Sequence, residues 1–281
     1  MEQIRLPAVA GAFYPADSRD LTELINACLG TSPLGPRGIK KSPSATIAGM
    51  VPHAGYVYSG PCAAHFYSCL DRGVRRVIIL GVNHRARGHH AALGPWTRWR
   101  TPLGEVAVDQ EWSAQLAERV KFLGQDQLAH AEEHSIEVQL PFLERLLDDF
   151  TILPISLSYL PVDGCAALGA AIAELCRGET KGKPKAVILA SSDLNHYLSP
   201  KETDQLDSIA LERVLALDPE GLLSVVEDEN ISMCGVIPTA VMLFAAKALG
   251  VKRAALLKHC HSGDVAPMRK VVGYASVAFE L

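Results

Sequence analysis

The sequence runs to 281 residues, 48% apolar and 21% charged, the proportions of a globular chain of one or two domains. Lys and Arg number 27 against 31 Asp and Glu, a formal charge of −4, so there is no basic footprint for a nucleic-acid backbone. Disorder, collagen-like repeats and a disulfide-stapled miniprotein are excluded.

The opening Met1-Glu2-Gln3-Ile4-Arg5 carries an acid and lacks the basic flank and apolar run of a signal peptide. Gly30–Ser44 is rich in Pro, Gly and Ser and reads as a loop, as does the polar, basic Arg177–Lys185. Strands are predicted at Thr46–Val51, Arg76–Val82, Thr151–Ser156, Ala186–Ala190, Ala254–Lys258 and Val271–Phe279. Between them, 3.6-residue spacing predicts helices near Gly60–Leu70, Gln110–Lys121, Ser135–Leu147, Val162–Cys176, Pro200–Leu217 and Ile237–Leu249. Pro141 gives the third of these a kink or a late start. This alternation reads as an α/β fold, a central mostly parallel sheet with helices on both faces, in a single domain over residues 1–281. The longest apolar stretch, Val236–Ala246, is broken by Pro238 and Thr239 and is too short to span a bilayer. Seven scattered cysteines without a CxxC pair fit a reduced, cytoplasmic compartment.

Ligands in open α/β sheets bind outside the carboxyl ends of the strands, and three predicted strands deliver histidine there. The first leads into Pro52-His53-Ala54-Gly55-Tyr56 and the second into Asn83-His84. The fourth leads into Ser191-Ser192-Asp193-Leu194-Asn195-His196. One such histidine is an ordinary turn residue, but three at equivalent places point to metal ligation or proton transfer. Cys234 stands just ahead of a helix starting near Pro238, where a helix N-terminus favours thiolate. Glu133 and His134 precede Ser135, a candidate helix cap. His259 and His261 share one face of a strand that ends at Ser262-Gly263-Asp264. His89 and His90 read as surface. No phosphate loop, dinucleotide turn, zincin helix or nucleophile elbow occurs.

With these residues in place the chain resembles the Memo family, known in microbes as AmmeMemoRadiSam system protein B. The resemblance begins at PAVAGAFYP (7–15) and PHAGYVYSG (52–60), and runs through NH (83–84) and TPLGEVAVD (101–109). It continues in EHSIEVQLPFL (133–143), SSDLNHY (191–197), CGVIPT (234–239), SGDV (262–265) and GYA (273–275). Val82 departs from a common proline, and KHCHSGDV departs from a version bearing tyrosine or threonine. The resemblance implies a fold similar to the class III extradiol dioxygenases, which use non-haem iron. It places His53, His84 and Cys234 as metal ligands, with Cys234 where those enzymes have glutamate. It places His134 and His196 as acid–base groups, Asp193 as their orienting partner, and Glu133, Tyr56, Asn83 and Asp264 around substrate or ligands. Fe(II) is the expected cofactor, with Cu or Zn as alternatives, because a thiolate softens the site. A radical SAM protein and an AMMECR-type protein are the implied partners; no nucleic acid or membrane is expected. The sequence alone leaves open a redox or oxygenase-like enzyme, a metal-binding or adaptor protein without turnover, and a zinc-assisted hydrolase with Glu133 or His196 as base.

Overall fold

The computed structural model describes residues 3–39, 46–177 and 186–281. The later part of the Gly30–Ser44 loop and residues 178–185 of the second predicted loop lie outside the described residues. In chain order the first half holds β1 (Ile4–Arg5), α1 (Ser18–Gly30), β2 (Thr46–Val51), α2 (Tyr56–Tyr67), β3 (Arg76–Val82), β4 (Ala91–Leu93), β5 (Arg98–Thr101), β6 (Gly104–Val108), α3 (Gln110–Arg119) and β7 (Gly124–Gln125). There follow α4 (Leu140–Leu146), β8 (Thr151–Leu157), α5 (Val162–Arg177), β9 (Ala186–Ser191), β10 (His196–Leu198) and α6 (Pro200–Leu215). The chain ends with α7 (Pro219–Asp228), α8 (Val236–Leu249), β11 (Arg253–His261) and β12 (Val271–Glu280).

The strands form one mixed sheet in the order β1-β5-β6-β8-β3-β9-β2-β12-β10, with β11 also on β12 and β4 on β8. Its centre, β6-β8-β3-β9-β2, is parallel throughout. Strand alternation sorts the core: Val77, Ile79, Val187 and Leu189 face α1, α2 and α4, whereas Ile78, Leu80, Ile188 and Ala190 face α3 and α5–α8. Each fully buried Val, Leu or Ile contributes about 1.5–3 kcal/mol, which holds helices on both faces.

Five of the six predicted strands end within a residue of their expected bounds, and the sixth, β11, extends to His261, which puts His259 and His261 inside a strand. Pro141 produces the late start: Glu137–Gln139 is a 3-10 turn and α4 begins at Leu140, with proline in its first turn. Ser135 is not a cap. Its hydroxyl donates to the Val82 carbonyl (3.0 Å) and accepts from the Val82 N–H (2.8 Å), tying this segment to the end of β3. The sequence reading missed α1 and α7, both entered through aspartate caps at Asp17 and Asp218, and the β5–β6 hairpin. Among the described residues no helix is long and apolar enough to cross a membrane.

Candidate metal centre

β3, β9 and β2 are neighbours, so the residues that follow them converge on one edge of the sheet. His53 follows β2, His84 follows β3, and Ser191 ends β9 with Asp193 just beyond. The loop before α4 supplies Glu133 and His134. One ring nitrogen each from His53, His84 and His134 lies within 4.8 Å of the others. The His84 and His134 rings stack at 4.6 Å, and the His53 ring stands edge-on to both at 5.1 and 5.3 Å.

A chain of hydrogen bonds fixes the proton on His53. Gln139 Nε2 donates to the Pro52 carbonyl (3.0 Å), which can only accept, so the amide orientation is set. Its oxygen then takes the Tyr67 hydroxyl at 2.6 Å, and its second N–H goes to Ser191 Oγ at 2.8 Å. Ser191 sends its own proton to the Ser135 carbonyl at 2.6 Å. His53 Nδ1, 3.0 Å from Ser191 Oγ, must therefore be the donor, which leaves Nε2 with a free lone pair.

Glu133 does the same for His84. Its carboxylate accepts from the His84 N–H and Nδ1–H, both at 2.9 Å, and from the N–H groups of His134 (2.8 Å) and Ser135 (3.0 Å). Burial opposes the charge, but the His84 bond, the neighbouring imidazoles and the Ser135 amide outweigh it and hold the carboxyl far below the usual range. An ionised Glu133 makes His84 Nδ1 the donor and frees its Nε2, the carboxylate–histidine arrangement typical of metal sites. Burial, then the facing imidazoles, pushes the His53 pKa well down; burial brings His134 down to about 4. Both rings are neutral near pH 7, the form that ligates.

Cys234 approaches from the turn before α8, where Gly235 presses against Ser192 so closely that any Cβ would collide with it. The Cys234 Sγ lies 3.1 Å from His53 Nε2 and 3.7 Å from the Asp193 carbonyl. The expected thiolate is not favoured: burial, then the Asp193 charge, pushes the thiol well above its ordinary range. It is an S–H donor to the bare His53 nitrogen. Asp193, raised by burial, accepts the His53 backbone N–H at 2.7 Å.

The other expected residues have partners of their own. His196 gives Nδ1–H to the Ser232 carbonyl at 3.0 Å, so its Nε2 is also bare. Asn83 staples the loop after His84 by donating to the Arg87 carbonyl at 2.7 Å. The Tyr56 hydroxyl is committed to the Val138 carbonyl at 2.6 Å, its ring buried against Phe142. Asp264 accepts the His261 N–H at 2.9 Å, and His259 pairs with Asp207, so the two strand histidines serve different carboxylates and not a shared ion. His89 and His90 are exposed, as expected. With four donors on its carboxylate, Glu133 orients ligands and is not free to act as a hydrolytic base.

Sequence reasoning missed Ser191, Gln139 and Tyr67, which set the His53 proton, and Phe13, whose ring packs on His134 at 4.5 Å. It also missed a buried clamp behind the site. Arg5 donates to Glu137 (2.6 Å) and to the carbonyls of His130 (2.9 and 3.0 Å) and Glu133 (2.5 Å). Glu137 in turn accepts the Ala8 and Val9 amides and the Tyr14 hydroxyl. An acid at Glu137 amid Ile136, Val138 and Leu140 was the readable signal, since carboxylates are rarely fully buried unless paired.

Comparison with known proteins agrees in extent with this architecture. A family model described as Memo-like protein matches residues 5–278. A MEMO1 family protein of Ignicoccus hospitalis is 44% identical over 286 aligned residues, covering 99% of each chain. Those of Methanopyrus kandleri and Sulfolobus acidocaldarius are 40% and 41% identical, covering 98% of this chain and 98% and 99% of their own. The chain belongs to the Memo family.

Proposed function

We propose that the protein is a metal-dependent oxidoreductase of the non-haem iron type, with His53, His84 and His134 supplying the ligand nitrogens. The observation that carries this reading is the placement of protons. His53 and His84 each hold their Nδ1 proton on a fixed oxygen, which leaves Nε2 unprotonated for a ligand, and their rings cluster with neutral His134. Such a donor set fits a first-row divalent ion. Cys234, 3.1 Å from His53 Nε2, is the sulfur contact of the centre in this proposal. The fold's resemblance to extradiol dioxygenases favours Fe(II) over Cu and Zn. Bound by these few protein ligands, iron would offer open coordination positions and would relay electrons from a small-molecule substrate to O₂.

The chain's own residues have separable tasks. Glu133 and Ser191 hold the ligand rings in one tautomer and orientation. Asp193 fixes the His53 backbone. His196 keeps a bare Nε2 at the edge of the site and accepts a proton from the substrate there. The Phe13 ring, packed on His134 at 4.5 Å, limits water on that side of the cluster.

Anaerobic purification with Fe(II) loading, followed by oxygen-electrode measurements with catechol-type substrates, tests the reading. The expected result is one iron per chain, lost in His53→Ala and His84→Ala, with iron-dependent O₂ uptake. Failure to bind any first-row metal under these conditions refutes it. Three imidazoles are also a zinc-hydrolase donor set, which supports a second reading with His196 as the base. Activity retained when zinc replaces iron selects that reading.

A further inference from the structure

His259 and Asp207 lie outside the cluster, yet a continuous set of hydrogen bonds joins them to His196. Asp207, on α6, is fully buried; its Oδ2 accepts His259 Nε2–H from β11 at 2.9 Å, and its Oδ1 accepts the Asn195 N–H at 2.9 Å. The carboxylate fits because residue 273 is glycine: a Cβ there would collide with it. Gly273 then grips the same segment from β12, accepting the Leu194 N–H (2.8 Å) and donating to the Asn195 carbonyl (2.9 Å). Asn195 Oδ1 accepts the Ser232 N–H (3.2 Å) and hydroxyl (3.0 Å). Ser232 completes the path, its Oγ accepting the His196 N–H at 2.8 Å and its carbonyl accepting His196 Nδ1–H at 3.0 Å.

The backbone at this point needs holding. Tyr197, directly after His196, has φ 63°, a left-handed conformation that costs a non-glycine residue of order 1 kcal/mol. It sits in a register shift of β10, between the His196↔Val272 and Leu198↔Val271 pairs. A strained residue in a three-residue strand persists only where its surroundings over-determine it, and here the surroundings are the Asp207–Asn195–Ser232 bonds.

We propose that His259 and Asp207 are positioning residues that lock His196 in its Nδ1–H form through Asn195 and Ser232, keeping Nε2 free as the proton acceptor of the site. The inference rests on the assignment of His196 as that acceptor, but its test does not need turnover. His259 is part-exposed near the sheet edge, so its substitution spares the core.

In protein labelled with ¹⁵N-histidine, with the His196 signals identified by their loss in His196→Gln, long-range ¹H–¹⁵N spectra report the ring tautomer. Wild type is expected to show Nδ1–H. His259→Leu removes the donor to Asp207; His196 then shifts towards the Nε2–H form that free imidazole favours, and its modification by diethyl pyrocarbonate, which attacks the unprotonated Nε2, slows roughly threefold, as loss of part of one hydrogen bond implies. His259→Gln, which restores an N–H donor, recovers most of the wild-type signature; Asp207→Asn, with circular dichroism as the check on folding, shifts His196 as His259→Leu does. An unchanged His196 tautomer and reactivity in His259→Leu overturns the proposal. Wild-type protein that takes up no metal while His196 responds as described refutes the proposed function and leaves the positioning pair standing.

Discussion

Glu137→Gln probes the link between the fold and the site. The substitution keeps the shape but removes the charge opposite Arg5, which is 1% exposed, and replaces an oxygen that accepts hydrogen bonds with an NH₂ group facing donors. Stranding one member of a buried ion pair costs roughly 3–5 kcal/mol. In a chain of this size that lowers the thermal midpoint by roughly 5–10 °C. Arg5 also holds the carbonyls of His130 and Glu133, so a loosened Arg5 releases the segment that carries Glu133 and His134. Metal affinity should therefore fall together with stability. Urea denaturation of wild type and variant, each with and without added metal, measures both. A stability loss under about 1 kcal/mol, the scale of an exposed pair, refutes the view that this clamp is a buried, fully committed ion pair.

Ser191→Ala removes the acceptor that holds His53 Nδ1–H and leaves the Ser135 carbonyl and one Gln139 N–H without a partner. Titration calorimetry with Zn²⁺ or anaerobic Fe²⁺ should show metal binding weakened by roughly 10–100-fold, the usual effect of losing a partner that orients a ligand. Glu144, in a polar cavity of about 420 Å³ beside Arg98 and Asp148, is pushed up to about 7 by burial despite the hydrogen bond from Thr101. Its folded pKa lies above the unfolded 4.5, so the native chain binds the extra proton across that window and loses stability as pH rises from 4.5 through 7. Glu144→Gln should flatten this loss and gain on the order of 1–3 kcal/mol over wild type at pH 8 relative to pH 4, after allowing for partial exposure. A variant whose stability tracks wild type across that range counts against the burial of the Glu144 charge.

The parallel centre of the fold was legible because β2, β3, β8 and β9 are short apolar runs bounded by polar turns, and because a histidine or serine follows three of them. That pattern alone located the edge of the sheet where His53 and His84 meet. α1 and α7 were equally readable in principle: Asp17 and Asp218 are ordinary caps, and Leu21, Ile25 and Cys28 make a helical stripe. What sequence could not give is the direction of protons. Tyr67, Gln139 and Ser191 come from α2, the 3-10 turn and β9, and only the folded chain shows that they form one path to His53 Nδ1. The same holds for Cys234: its place before a helix is readable, but not the burial beside Asp193, which keeps it a thiol until a bound cation displaces the proton. Glu133 reads as a candidate base in sequence because its four donors include a residue 49 positions away.

X-ray absorption at the metal edge of anaerobically loaded protein tests most directly whether three imidazoles share one ion. The account predicts imidazole scattering from nitrogens at about 2.0–2.1 Å, reduced in His134→Ala, and a sulfur shell near about 2.3 Å that disappears in Cys234→Ser. A first shell of oxygen alone, identical in wild type and His53→Ala, contradicts it.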